Sequence, residues 1–215
     1  MERSNKKFFY IGTGTILSFV LWTVLVRLVG VDRIGPLESE VGFATINNAF
    51  HDFTGVHWFL YMLTDWLSII PLAFVIGFAI LGLYQWIKRK SLFKVDYDLL
   101  VLGAFYIATM AVYLFFEIVT INYRPILIAG ILESSYPSST TMLVLCVMIS
   151  VIIQFQKRIK KAKLKRCLIW AIAVFTAFMV LARLISGVHW LSDIIGGVIV
   201  SFGLLLMYCY FSKPK

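Results

Sequence analysis

Apolar residues fill this chain in six long blocks, over residues 8 to 30, 58 to 87, 98 to 120, 137 to 155, 167 to 187 and 189 to 211, with short polar stretches between them. Each block is close to or above the roughly 20 residues that a helix needs to cross about 30 Å of hydrocarbon. The pattern therefore predicts six membrane-spanning helices. The first block follows Arg3, Lys6 and Lys7 as a secretory signal would, but it is longer than a signal core and no small-residue cleavage site follows it, so it reads as a retained span. No internal repeat and no soluble second domain interrupts the series. The expected organisation is one membrane-embedded domain over residues 1–215, an all-α bundle of six transmembrane helices.

The longest stretch outside the blocks, 31 to 57, mixes apolar residues with Asn47, Asn48, His51 and Asp52 at roughly helical spacing. That suits a short amphipathic helix lying in the interface, placed to cover a site on that face, and equally suits a plain connecting loop.

Composition agrees with lipid as the solvent. Hydrophobic residues make up 60% of the chain and charged ones only 14%, more apolar surface than one water-soluble core of 215 residues can bury. Sixteen of the 20 Lys and Arg fall at the N-terminus, after the second block, after the fourth block and at the C-terminus. With six spans these four positions share one side, which the positive-inside rule makes cytoplasmic, so both termini are expected in the cytoplasm of a multi-pass cell-membrane protein. The net charge of +9 is then a belt facing anionic lipid heads, and it calls for no nucleic acid. Cys146, Cys167 and Cys209 are odd in number, lie in or at the ends of spans and lack metal-ligand spacing, so they read as small packing residues.

Four cations remain for the other side: Arg27, Arg33, Arg124 and Arg183. Arg27 can snorkel from the end of the first span, and Arg33 sits among Asp32, Glu38 and Glu40. Arg124 and Arg183 have no such explanation. Both belong to a set of polar clusters at the outer ends of spans three to six: Asn122 to Pro125, the YPSSTT helix start at 136 to 141, Arg183, and His189 with Asp193. Each arginine offers a planar fork of donors matched to phosphate. Ser138, Ser139 and Thr140 follow Pro137 at a helix start, where free N–H groups and the helix dipole favour an anion.

His189 and Asp193 are four apart, a spacing that on a helix brings the side chains together. A carboxylate on one imidazole nitrogen would leave the other free to attack. Taken singly, a histidine at an interface is ordinarily a headgroup contact, a serine at a helix start is ordinarily a cap, and an H-x-x-x-D pair can also ligate metal, although no third ligand is evident. Taken together, these residues read as a phosphate site.

The arrangement resembles the type-2 phosphatidic acid phosphatase and vanadium haloperoxidase superfamily, whose signature is Lys-x6-Arg-Pro, then Pro-Ser-Gly-His, then Ser-Arg-x5-His-x3-Asp. Here the positions are Glu117-x6-Arg124-Pro125, Pro137-Ser138-Ser139-Thr140, and Ala182-Arg183-x5-His189-x3-Asp193. The resemblance implies a membrane lipid phosphatase in which His189 forms a phosphohistidine, Asp193 orients it, and Arg124, Arg183 and Ser138 cradle the phosphate. It implies a lipid monophosphate or diphosphate as substrate at the extracytoplasmic or lumenal face, and neither metal nor cofactor.

Three departures bear on the chemistry. Glu117 replaces a lysine, Ala182 a serine, and Thr140 the histidine that in the family protonates the leaving oxygen. Glu117 is expected either to pair with Arg124, seven residues on, or to supply the missing proton itself; His51 and His57 are other candidate donors. A diphosphate leaving group would need less protonation, favouring a polyprenyl diphosphate. A non-catalytic lipid-phosphate binder and a phosphotransferase remain alternatives on the same residues.

Overall fold

In a computed structural model, which describes residues 2–212 and the side chains from Lys6 onward, the chain is helical throughout its spans. The helices are α1 (Glu2–Leu28), α2 (Ala44–Thr54), α3 (Trp58–Leu67), α4 (Ile69–Arg89), α5 (Tyr97–Ile118), α6 (Ser139–Arg158), α7 (Ala162–Ile185) and α8 (Leu191–Phe211). Six segments are long and apolar enough to cross a membrane, with α3 and α4 together forming the second. Lys213 and Lys215 of the basic belt, and the side chain of Arg3, lie outside the described residues.

The second span is broken where sequence suggested a continuous run. Pro71 lacks the N–H that the Leu67 carbonyl would accept, and the chain turns at Ser68, whose hydroxyl donates to the Thr64 carbonyl at 2.8 Å. The fifth span begins earlier than its apolar block, because α7 starts within the basic stretch at Ala162.

The central helix is α6. In its apolar window 61% of residues are buried, against 6% for the second span, so α6 carries the core while α3 and α4 face lipid. It packs on α4, α5, α7 and α8. Gly203 of α8 lies so close to α1 that a Cβ there would stand 2.8 Å from the Ile16 side chain, and this small residue lets α1 and α8 pack along their lengths.

Polar clusters close each end of the bundle. At the basic end Arg158 of α6 holds both carboxylate oxygens of Asp98 at 3.0 Å, and Asp96 pairs with Arg89 at 2.9 Å. The Gln85 amide foremost, with Arg89 and Arg158, keeps the Asp96 carboxyl below its ordinary value against the opposing effect of burial. At the other end the 119–138 segment folds back through bridges pairing Tyr123 with Ser134 and Ile128 with Ile131.

The stretch from 31 to 57 contains α2, the expected amphipathic helix. Its Asn47 is buried and faces the bundle, while Ile46 and Phe53 are exposed. The strap is pinned to the α7–α8 turn: His57 N–H donates to the Ser186 carbonyl at 3.0 Å, and Gly55 lies against Gly187. Gly187 has φ +69°, a left-handed conformation, and a Cβ there would fall 2.0 Å from the Gly55 carbonyl oxygen.

Gly187→Ala is therefore expected to be destabilising by about 2 kcal/mol or more, combining left-handed strain with a backbone clash. Thermal unfolding in detergent should show a clear drop in Tm. An unchanged Tm would mean that the strap does not pack on this turn.

Candidate active site

His189 stands in the turn ahead of α8, not on the helix as its spacing from Asp193 suggests, and its side chain is almost wholly buried. Its Nδ1 lies 3.1 Å from the Ser135 carbonyl oxygen, which can only accept, so Nδ1 carries the proton. Nε2 is then the lone-pair nitrogen, and it accepts from Arg124 Nη1 at 3.3 Å.

Asp193 is not the direct partner of the imidazole. Its Oδ2 is 3.9 Å from His189 Nδ1, beyond hydrogen-bond distance, and it instead accepts from the Trp190 N–H at 3.0 Å, capping α8. Its Oδ1 accepts from Asn122 Nδ2 at 3.0 Å. The carboxylate thus fixes the turn that presents His189, and the Ser135 carbonyl fixes the tautomer.

Around this pair lies a network that the sequence placed nearby without assigning it a role. Asn47 Nδ2 donates to Ser192 Oγ at 2.9 Å, and Asn47 Oδ1 accepts from the Ser192 N–H at 3.1 Å. Asn122 Oδ1 accepts from the Gly42 N–H at 3.2 Å, so the strap and the 119–138 segment meet on the first turn of α8. Buried Asn residues beside charged motifs were the available signal.

Arg124 does not pair with Glu117. Its Nε is 2.9 Å from Glu133 Oε2, a charge contact in which the N–H is not aligned on the oxygen, and its backbone N–H donates to the Glu133 carbonyl at 3.0 Å. The folded-back segment brings Glu133 to Arg124 by main-chain pairing. Glu117, at the end of α5, is exposed and lines a small recess together with His189, Tyr113 and Ser139.

Arg183 is 2% exposed although it projects from a span. Its Nη1 donates to Thr64 Oγ1 at 3.2 Å and its guanidinium lies 4.9 Å from the Tyr61 ring centroid, while its buried Nε has no partner. Both contacts come from α3, which sequence had left without a role.

Ser138 is the N-cap of α6, accepting from the Thr141 hydroxyl at 3.0 Å, and its own N–H donates to the Asp193 carbonyl at 3.1 Å. Ser139 and Thr140 border a cavity of about 430 Å³ whose wall also holds Asp65. His51 packs on Trp190 with ring centroids 5.5 Å apart, and His57 bonds the Thr54 carbonyl through Nε2 at 2.8 Å.

Burial first, and then the positive charges of Arg124 and Arg183, push the His189 pKa well below its ordinary value, with the Ser135 carbonyl opposing. The imidazole is therefore held in its neutral form.

Fold and site together define a multi-pass membrane protein with a buried neutral histidine bonded to an arginine at one end of a helical bundle. A profile of the PAP2 superfamily matches residues 70–215, from the start of α4 onward, and the chain belongs to that family. No curated protein matches the chain significantly. Among solved structures it is similar to the crystal structure of the first transmembrane PAP2 type phosphatidylglycerolphosphate phosphatase from Bacillus subtilis, with a TM-score of 0.59 and 19% identity over 94% of each chain. That likeness covers more of the chain than the family profile, which begins at residue 70.

A histidine buried neutral takes up a proton on unfolding at acidic pH, so its contribution to stability is present above the unfolded pKa of about 6.5 and is lost as pH falls below it. The loss approaches about 1.4 kcal/mol per pH unit in that window. Unfolding of wild type and His189→Gln between pH 7.5 and 5 should show the steeper acid loss in wild type only; parallel curves would place His189 in contact with water.

Proposed function

We propose that the protein is an integral-membrane lipid phosphatase acting at the extracytoplasmic face through a phosphohistidine on His189. The observation that carries this reading is the lone-pair nitrogen of a buried, neutral imidazole held against an arginine, with its other nitrogen committed to a carbonyl. Arg124 and Arg183 would hold the phosphate oxygens, with Ser138, Ser139 and Thr140 adding hydroxyl and backbone donors at the start of α6.

In the first step His189 Nε2 attacks phosphorus, an N–P bond forms, and the P–O bond to the lipid breaks with its electron pair on the leaving oxygen. A protonated Glu117, the carboxyl group that shares the recess with His189, gives that oxygen its proton. In the second step Glu117, now a carboxylate, takes a proton from water, which attacks phosphorus and releases phosphate from His189. Asp193 acts as a positioning residue for the turn, consistent with its contact to the Trp190 N–H.

The cavity beside Thr140 supports a lipid as the substrate. It runs between α4, α5 and α6 among Leu72, Val75, Met110 and Val147, an apolar lining suited to a lipid chain. A lipid monophosphate and a polyprenyl diphosphate both fit this description. The competing reading, a lipid-phosphate binder without turnover, draws support from the hold of Glu133 on Arg124.

His189→Ala should abolish vanadate-sensitive phosphate release across a panel of lipid phosphates. Binding that survives in this variant, with wild-type release no higher than background, would establish the binder instead.

Glu117→Gln should lower kcat about 100-fold for monophosphates and much less for diphosphates, whose leaving group needs little protonation. An equal loss for both substrate classes would exclude Glu117 as the donor.

A further inference from the structure

We infer that the basic end of the α6–α7 hairpin holds a binding site for the head of an anionic phospholipid, in the leaflet opposite the His189 site. A concavity of about 290 Å³ is lined there by Gln156 of α6 and by Ala162, Lys165, Arg166, Ile169 and Trp170 of α7. Lys165 and Ile169, like Arg166 and Trp170, are four residues apart and project along one side of α7. The order along the helix is cation, then apolar or indole side chain toward the membrane interior, which is the order of a phospholipid head over its glycerol and chains. Trp170 is 67% exposed, and an indole with one polar atom suits that boundary.

Charge identifies the ligand as an anion. The stretch 157–166 carries seven Lys and Arg, and the acids at this end, Asp96 and Asp98, are engaged by Arg89 and Arg158. Among the described residues no carboxylate pairs with Lys165 or Arg166. The helix dipole adds to the excess. Lys161 stands at the N-cap without a side-chain acceptor, and no acid occupies the first turn of α7, so cations crowd the positive end of a 24-residue helix. An external anion would offset both the side-chain charge and the free N–H groups.

Depth identifies the anion as a lipid. Ile169 and Trp170 belong to the spanning segment Ala162–Ile185, so the floor of the concavity lies at the membrane boundary, where a soluble anion would leave it unfilled. Gln156 supplies an amide that can bond the ester or hydroxyl oxygens of the head. The site is separate from the proposed catalytic one, at the opposite ends of α6 and α7, and does not rest on the assignment of activity.

The test uses the full-length protein in phosphatidylcholine nanodiscs doped with phosphatidylglycerol brominated near the glycerol, which quenches nearby indoles. Trp170→Phe assigns the Trp170 part of the signal. Brominated phosphatidylglycerol is expected to quench Trp170 more strongly than brominated phosphatidylcholine at the same fraction. Lys165→Gln/Arg166→Gln should weaken that preference about tenfold, whereas Lys88→Gln/Lys90→Gln, with the same charge removed at the end of α4 outside the concavity, should leave it nearly intact. Unchanged circular dichroism and thermal unfolding in both pairs would show that the fold is kept. Equal loss in the two pairs would reduce the effect to a diffuse basic belt, and relief of quenching by excess inorganic phosphate would make the ligand a free ion; either result overturns the site.

Discussion

A carboxylate with no access to water has to be satisfied from within the protein, and Asp193 is where the site end of the bundle converges on that requirement. Asn122 donates to one oxygen and the Trp190 N–H to the other, while Asn47 and Ser192 complete the surrounding shell. The donors come from the 119–138 segment and from the turn ahead of α8, and the strap braces that turn through Asn47 on Ser192. A shift of either donor would leave a buried charge unsatisfied, which is why a turn containing a left-handed glycine can hold an imidazole in fixed orientation.

The same end of the molecule is nearly balanced in charge. Arg124 has Glu133 beside it, and Arg183 lies over Tyr61 and donates to Thr64. These neighbours keep two guanidinium groups tolerable at membrane depth while the site is without substrate. On the proposed function, a phosphate would have to take the place of Glu133 at Arg124, and Glu133, 40% exposed, has water to turn to.

The six spans were legible because lipid demands long apolar helices and leaves few other patterns. His189, Arg124 and Arg183 were legible because charge stands out against that background. What escaped were relationships created by chain reversal. The pairing of Glu133 with Arg124 depends on a hairpin-like fold that no helical spacing encodes, and Thr64 and Tyr61 meet Arg183 across 119 residues or more. The His189 and Asp193 spacing was legible, but its geometry was not. A four-residue interval that begins in a turn and ends in the first turn of a helix does not set side chains face to face, so the carboxylate caps the helix instead.

Helix α6 links the two polar ends, with the Ser138 cap at its start and Arg158 in its last turn. Its 20 residues rise about 30 Å, the thickness of a bilayer core. A single inserted residue would rotate one end by about 100° relative to the other and move Arg158 away from Asp98, or Ser138 away from the Asp193 carbonyl. The helix thus works as a fixed caliper. Its register, more than the identity of its apolar residues, couples the chemistry at one membrane surface to the charge at the other, and fits the protein to bilayers of one thickness.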